Sequence, residues 1–287
     1  MPHYTVAHSP DADDIFMYYA IKFGWITSKE LSFENIALDI ETLNVAALKG
    51  VYDVSAISFA LYPFIKDEYA LTKTAASFGE GYGPKLIKKK GVKLKRHFKV
   101  ALSGVNTTNA MLFKMKYPDA KIVYLNFLEI EDAVLRGEVD AGVLIHESIL
   151  TYSDLLETEA EIYDIWVDFI KDTLPLPLGG MGIRRSLPLN RAIEVEEMLT
   201  KAITVGLSHQ SLFSKMLMQR DLIRVNEQEL EKYLGLYANS ESEVISAKGV
   251  QALDALFTLG YDKGVYSQKI ETEAHFIPTI YQSLRES

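Results

Sequence analysis

Short apolar runs of strand length alternate along this chain with longer segments in which apolar residues recur every three or four positions. Alternation of those two periods predicts an α/β fold. The first strand is expected at residues 4–8. The first helix follows at 11–23, with Ser9 or Asp11 as N-cap, Pro10 in its first turn, and Asp11, Asp13 and Asp14 set against the positive end of its dipole. Ile36-Ala37-Leu38-Asp39-Ile40-Glu41 alternates as a second strand, residues 44–49 make a short helix, and a strand ending at Ala56-Ile57-Ser58 leads into a helix to residue 65. Strands at 99–102, 121–126 and 139–145 interleave with helices ending near 117 and 136. An acidic helix is expected after Tyr152, and helices over 190–208, 227–236 and 242–259 complete the chain.

The pattern repeats itself. Leu48-Lys49-Gly50-Val51-Tyr52-Asp53 and Leu135-Arg136-Gly137-Glu138-Val139-Asp140 share leucine, a basic residue, glycine, two free positions and aspartate. Each reads as a helix closed by glycine, a turn, then a buried strand. A weaker echo pairs Val6-Ala7-His8-Ser9 with Val100-Ala101-Leu102-Ser103. Two units in the same order predict two similar lobes: 99–175 inserted into a larger lobe of 1–98 and 176–287. The Pro- and Gly-rich residues 174–183 make the strand that crosses back. The strand ends at Ala56-Ile57-Ser58 and Ile145-His146 then face each other across a cleft, where ligands of open α/β sheets gather.

With 287 residues, 48% of them hydrophobic, the chain can bury a substantial core. A net charge of −9 argues against nucleic acid or an anionic membrane as partner. Cys is absent, which excludes thiolate nucleophiles, thiolate metal sites and disulfides. The opening Met1-Pro2-His3-Tyr4-Thr5-Val6-Ala7 lacks the pattern of a signal peptide and no later run is long enough to span a membrane, so a cytoplasmic location is expected. Seven Lys and one Arg lie between Lys85 and Lys99, read first as a solvated loop and strand edge. The sequence leaves the oligomeric state open.

Three places carry candidate chemistry. His146 ends a buried strand; such a histidine is more often structural than catalytic, but its ordinary pKa of about 6.5 suits a general base. Ser103-Gly104-Val105-Asn106-Thr107-Thr108 is a glycine turn at a helix N-terminus, and reads equally as an anion site or as simple capping by Asn106 or Thr107. The carboxylates of Asp11, Asp13 and Asp14 match a Mg²⁺ site in type, yet helix capping explains them without a metal. Glu147 is expected to cap the next helix. His3, His8, His97, His209 and His275 have no comparable context.

Taken together, Ser9-Pro10, Asp14, Phe16, Ser58-Phe59-Ala60 with Tyr62-Pro63, Thr107-Thr108, Ile145-His146-Glu147 with Thr151-Tyr152, and Pro175-Leu176-Pro177-Leu178-Gly179-Gly180 with Arg184-Arg185 resemble the 1,4-dihydroxy-6-naphthoate synthase family, the lyases of the futalosine route to menaquinone. The resemblance implies a two-lobed fold like periplasmic binding proteins of type II, with a ligand cleft between the lobes. It implies conversion of cyclic dehypoxanthinylfutalosine, a small carboxylated substrate, to 1,4-dihydroxy-6-naphthoate, with no metal and no organic cofactor. Carried over by position, His146 is the proton acceptor, Ala56, Ile57, Ser58, Thr107 and Thr108 line the substrate, and Asn44 is a neighbour. The family's opening Ser-Pro is usually followed by Cys-Pro-Asn, where this chain has Asp11-Ala12-Asp13, and the loop after His146-Glu147 also differs. Carboxylates there would repel a carboxylated substrate, so they are expected to face solvent or cap the helix. The rival readings are a chorismate dehydratase of the same pathway and a non-catalytic small-anion binding protein.

Overall fold

The computed structural model describes residues 2–223 and 225–278. Two sheets carry the fold among them. In the first, β2 (Ser32–Ala37), β1 (His3–His8), β3 (Val54–Ser58), β11 (Leu176–Arg184) and β4 (Tyr69–Leu71) lie side by side, and β5 (Ser77–Gly79) also pairs with β11. In the second the order is β10 (Leu156–Glu161), β6 (Lys85–Lys89), β9 (Ala141–Leu144), β7 (Lys99–Leu102) and β8 (Lys121–Tyr124).

The two sequence echoes occupy equivalent places. β1 sits between its parallel partners β2 and β3, just as β7 sits between β8 and β9, and the next strand outward is antiparallel in both sheets. Helices α1 (Ala12–Lys22) and α2 (Ile40–Ala47) connect the first set; α4 (Thr108–Lys116) and α5 (Ile130–Arg136) connect the second. Gly50 (φ +60°) and Gly137 (φ +74°) take the left-handed conformation that closes α2 and α5. The aspartates of the repeat act alike, for Asp53 accepts from the Thr5 backbone N–H at 2.9 Å and Asp140 from that of Lys99 at 2.7 Å. Each carboxylate thereby ties its strand to the start of the neighbouring one.

The short α3 (Tyr62–Ile65) follows β3, and α6 (Ile162–Ile170) follows β10. The C-terminal part is α7 (Leu189–Ser208), α8 (Gln210–Gln219), α9 (Glu227–Tyr237), α10 (Ser240–Glu243) and α11 (Ala247–Asp262), with α7 and α9 packed on α1 and α11 on β11.

Several expectations change. The second strand lies earlier than 36–41, for β2 ends at Ala37 and Ile40 and Glu41 open α2 with Asp39 as N-cap. The helix expected over 242–259 begins at Ala247, after the separate α10. The acidic stretch after Tyr152 is not helical at first: Leu156–Glu161 is a strand beside β6, and its glutamates meet the lysine run, with Lys88 at 2.5 Å from Glu159 and 3.5 Å from Glu157. Alternation of Glu with Leu, Thr and Ala along this stretch is a period of two, and cross-strand charge pairing rewards it. β6, which precedes residue 99, belongs to the second sheet, so the chain passes into that sheet before residue 85. β11 lies where the return strand was expected, and its glycines are needed for close approach. A Cβ on Gly179 would stand 2.9 Å from the Ile57 carbonyl oxygen, and one on Gly180 2.7 Å from Phe59 Cζ.

Candidate active site

The carboxyl ends of β1, β3, β7 and β9 converge on a pocket between the sheets. Ala56, Ile57, Ser58, Thr107, Thr108 and His146 all line it. Asn44 stands behind the wall: fully buried on α2, it donates to Ser58 Oγ at 3.0 Å and accepts from the Ser58 N–H at 2.9 Å. Ser58 Oγ thus spends a lone pair on Asn44 and keeps its proton for a ligand.

The threonines are used otherwise than as hydroxyl donors to a ligand. Thr107 is the N-cap of α4, accepting from Ala110 N–H, and its hydroxyl also bonds the Asn109 side chain. Thr108 donates to the Leu178 carbonyl at 3.0 Å and accepts from the Ala60 N–H at 3.2 Å, bridging the lobes. The donors left for an anion are backbone N–H groups in the first turn of α4, where no intrahelical acceptor exists. Ser103 Oγ, on the same wall, is buried without a partner among the described residues.

Chain geometry at His146 is unusual. β9 ends at Leu144 and a 3₁₀ turn spans His146–Ile149; His146, at the junction, takes the left-handed region at φ +55°. For a residue with a Cβ this costs of order 1 kcal/mol or more, and such strain concentrates at functional sites. The ring packs edge-on against Phe127. Its Nδ1 lies 2.9 Å from Asp11 Oδ2, while Nε2 is buried with no partner among the described residues. Burial disfavours the charged ring, but the charge and hydrogen bond of Asp11 outweigh it and raise the His146 pKa to about 9. Burial likewise works against the Asp11 carboxylate, and His146 overcomes it and holds its pKa below the usual range. The two form an ion pair at neutral pH, so the ordinary imidazole pKa expected from the sequence does not apply.

The acidic cluster does not face solvent. Asp11 does cap α1, accepting from Asp14 N–H at 3.1 Å, but it and Asp13 are buried, and all three carboxylates line the pocket. Asp13 accepts from Tyr233 Oη at 2.9 Å and Ser77 Oγ at 2.7 Å. Burial and the Asp11 charge push Asp13 well above the ordinary carboxylate range and raise Asp14 to about 8. Asp14 is thereby largely protonated at neutral pH and Asp13 is pushed the same way, which eases the expected repulsion of a carboxylated substrate. By distance Asp11, Asp13 and His146 form a possible metal set, with ligand atoms within 4.8 Å of one another. Each already has a partner in the protein: Asp11 and His146 each other, Asp13 the two hydroxyls. Glu147 does not cap the next helix; it accepts from the Ala12 N–H at 2.8 Å and so caps α1 of the opposite lobe.

Several wall residues carried no signal in the sequence. Tyr233 and Tyr237 reach the pocket from α9, more than eighty residues beyond His146, and an i, i+4 tyrosine pair reads as an ordinary core-facing stripe. With Ile40 and Leu178 they give the polar cluster an apolar counterwall.

A family model described as menaquinone biosynthesis matches residues 4–262. Relatives from Thermus thermophilus and Streptomyces coelicolor, both named 1,4-dihydroxy-6-naphthoate synthase, are each 28% identical, covering 90% and 91% of this chain and 93% of either relative. A crystal structure of a protein from Archaeoglobus fulgidus is 33% identical with a TM-score of 0.84, covering 92% of this chain and 98% of that one. The periplasmic aliphatic sulphonate binding protein of Escherichia coli is similar at a TM-score of 0.63 and 11% identity, covering 96% and 92%. That likeness establishes the two-lobed fold of periplasmic binding proteins.

Proposed function

The chain belongs to the menaquinone biosynthesis family, and from that premise we propose that it converts cyclic dehypoxanthinylfutalosine to 1,4-dihydroxy-6-naphthoate, with His146 as general base. One observation carries the assignment of the base. Nε2 of His146 is a buried ring nitrogen on the pocket wall with no partner among the described residues, while Nδ1 is taken by Asp11. A polar atom left unmatched in this way costs stability unless a ligand uses it.

The surroundings fit an aromatic acid. The first turn of α4, Ser103 Oγ and Ser58 Oγ supply donors for a carboxylate, and Tyr233, Tyr237, Ile40 and Leu178 supply flat and apolar surface for rings. His146 takes a proton at Nε2 and returns it later in the elimination. Asp11 stays ionised throughout and steadies the imidazolium, as an oriented carboxylate does beside other histidine bases. Burial keeps bulk water from competing for that proton.

The test is incubation of the purified protein with the cyclic nucleoside, and separately with chorismate, followed by chromatography with mass detection. Appearance of 1,4-dihydroxy-6-naphthoate from the first alone is expected. Dehydration of chorismate, or recovery of the cyclic nucleoside unchanged, overturns the reading.

A further inference from the structure

Asp11 occupies a position where the sequence resemblance leads one to expect cysteine, and nothing in that resemblance assigns it a role. Its two oxygens are used differently. Oδ1 accepts from the backbone N–H of Asp14 as the N-cap of the eleven-residue α1, and Oδ2 lies 2.9 Å from His146 Nδ1. Asp11 belongs to one lobe and His146 to the other, so this contact spans the pocket. The carboxylate is anchored to a helix end whose dipole favours negative charge, and the ring it holds has an unusual φ of +55°. Of the ring's two nitrogens only Nε2 is without a partner among the described residues.

We propose that Asp11 is a positioning residue for this reaction: by accepting from Nδ1 it fixes the orientation and tautomer of His146, so that Nε2 alone exchanges protons with the substrate. The proposal rests on the reading of His146 as the base. The other ionisable groups facing the ring are Asp13 and Asp14 from the start of α1, Glu147 beside it and Tyr233 from α9. Burial and the Asp11 charge push the Asp13 and Asp14 carboxyls toward their protonated forms, and burial and the nearby carboxylates push the Tyr233 phenol up, which favours its neutral form. Glu147 is engaged by the Ala12 N–H at 2.8 Å, so Asp11 is the carboxylate bound to the ring. A neutral histidine must place its single proton on one nitrogen, and an adjacent carboxylate selects that nitrogen. Without it both tautomers are populated, and the one protonated at Nε2 cannot act as base.

Asn caps a helix about as well as Asp, so Asp11→Asn removes the charge while leaving the N-cap of α1 in place. Asp11→Glu keeps the charge with a longer reach. The protein, labelled with ¹⁵N in its histidine rings, is titrated by NMR to read the tautomer and pKa of His146, and kcat and KM are measured from pH 6 to 10. Expected for Asp11→Asn are a fall of the His146 pKa by more than one unit, a mixture of tautomers, and a plateau kcat lower by about 10²- to 10⁴-fold. KM changes little, and Asp11→Glu recovers part of kcat. A folded Asp11→Asn protein in which His146 keeps the parent tautomer and kcat stays within about twofold overturns the proposal. If His146→Asn is inactive while Asp11→Asn is unaffected, only the role of Asp11 falls. If His146→Asn is itself active, the reading of His146 beneath it falls as well.

Discussion

The ion pair at the pocket wall makes a definite statement about pH. A shift of the His146 pKa from its ordinary 6.5 to about 9 favours the charged ring by roughly 3 to 4 kcal/mol, at about 1.4 kcal/mol per unit. At pH 7 only about one molecule in a hundred then has the neutral imidazole that a general base requires. Since kcat/KM reports the free enzyme, its logarithm should rise by close to one unit per pH unit from 6 to about 8 and level off near 9. The assay is initial rate at low substrate in overlapping buffers of constant ionic strength, with circular dichroism to confirm that the fold persists. A profile that levels off near 6.5, or does not depend on pH, refutes the reasoning about Asp11 and His146. The same pair fixes the sign of the stability change. The folded-state pKa of His146 is raised, so its contribution is complete below the unfolded value of about 6.5 and is lost as pH climbs through 9. Asp14, raised to about 8, favours the same trend. The thermal midpoint should therefore fall between pH 6.5 and 9.

Three substitutions test the walls of the pocket. Asn44→Ala deprives Ser58 of two buried hydrogen bonds and should cost about 2 to 4 kcal/mol in denaturant unfolding with a raised KM; an unchanged KM would detach Ser58 from the substrate. Thr107→Val removes the N-cap of α4 and should lower stability by about 1 kcal/mol and weaken binding of product-like aromatic acids in calorimetry; full affinity would exclude the first turn of α4 as the anion site. Gly180→Ala drives a methyl to 2.7 Å from buried Phe59, so unfolding should become easier by about 1 to 3 kcal/mol, and an unaltered midpoint would show that Phe59 has room to move.

Much of this arrangement is legible from the repeat. Leucine, base, glycine and aspartate recur because a helix must be closed at Gly50 and Gly137, and because Asp53 and Asp140 must reach back to the neighbouring strand. Such local demands leave a fixed spacing in the chain. The strand ends at Ser58 and His146 follow from that spacing, and the pocket does lie between them. The strand at 156–161 is less legible, because its glutamates suit a solvated helix as well; pairing with β6 and its lysines, some seventy residues earlier, decides for the strand. The acidic cluster misleads for a related reason. Three carboxylates at a helix start satisfy capping rules by themselves, and their burial depends on His146, Ser77 and Tyr233, from 64 to 220 residues away. Tyr233 and Tyr237 do not stand out, since the folding of α9 over α1 leaves no local mark.

The central claim is that His146 carries the proton in this pocket, and His146→Asn tests it most directly. Asn retains a polar side chain of similar size and adopts the left-handed conformation more readily than most residues, so the fold and much of the binding should survive φ +55° at this position. An amide cannot accept a proton near neutral pH, and a positioned general base contributes a factor of about 10² to 10⁴. Single-turnover formation of 1,4-dihydroxy-6-naphthoate at pH 9 should therefore fall by at least about a hundredfold while the affinity for the substrate stays within several fold. A folded His146→Asn protein that forms the product within a few fold of the parent rate contradicts the account.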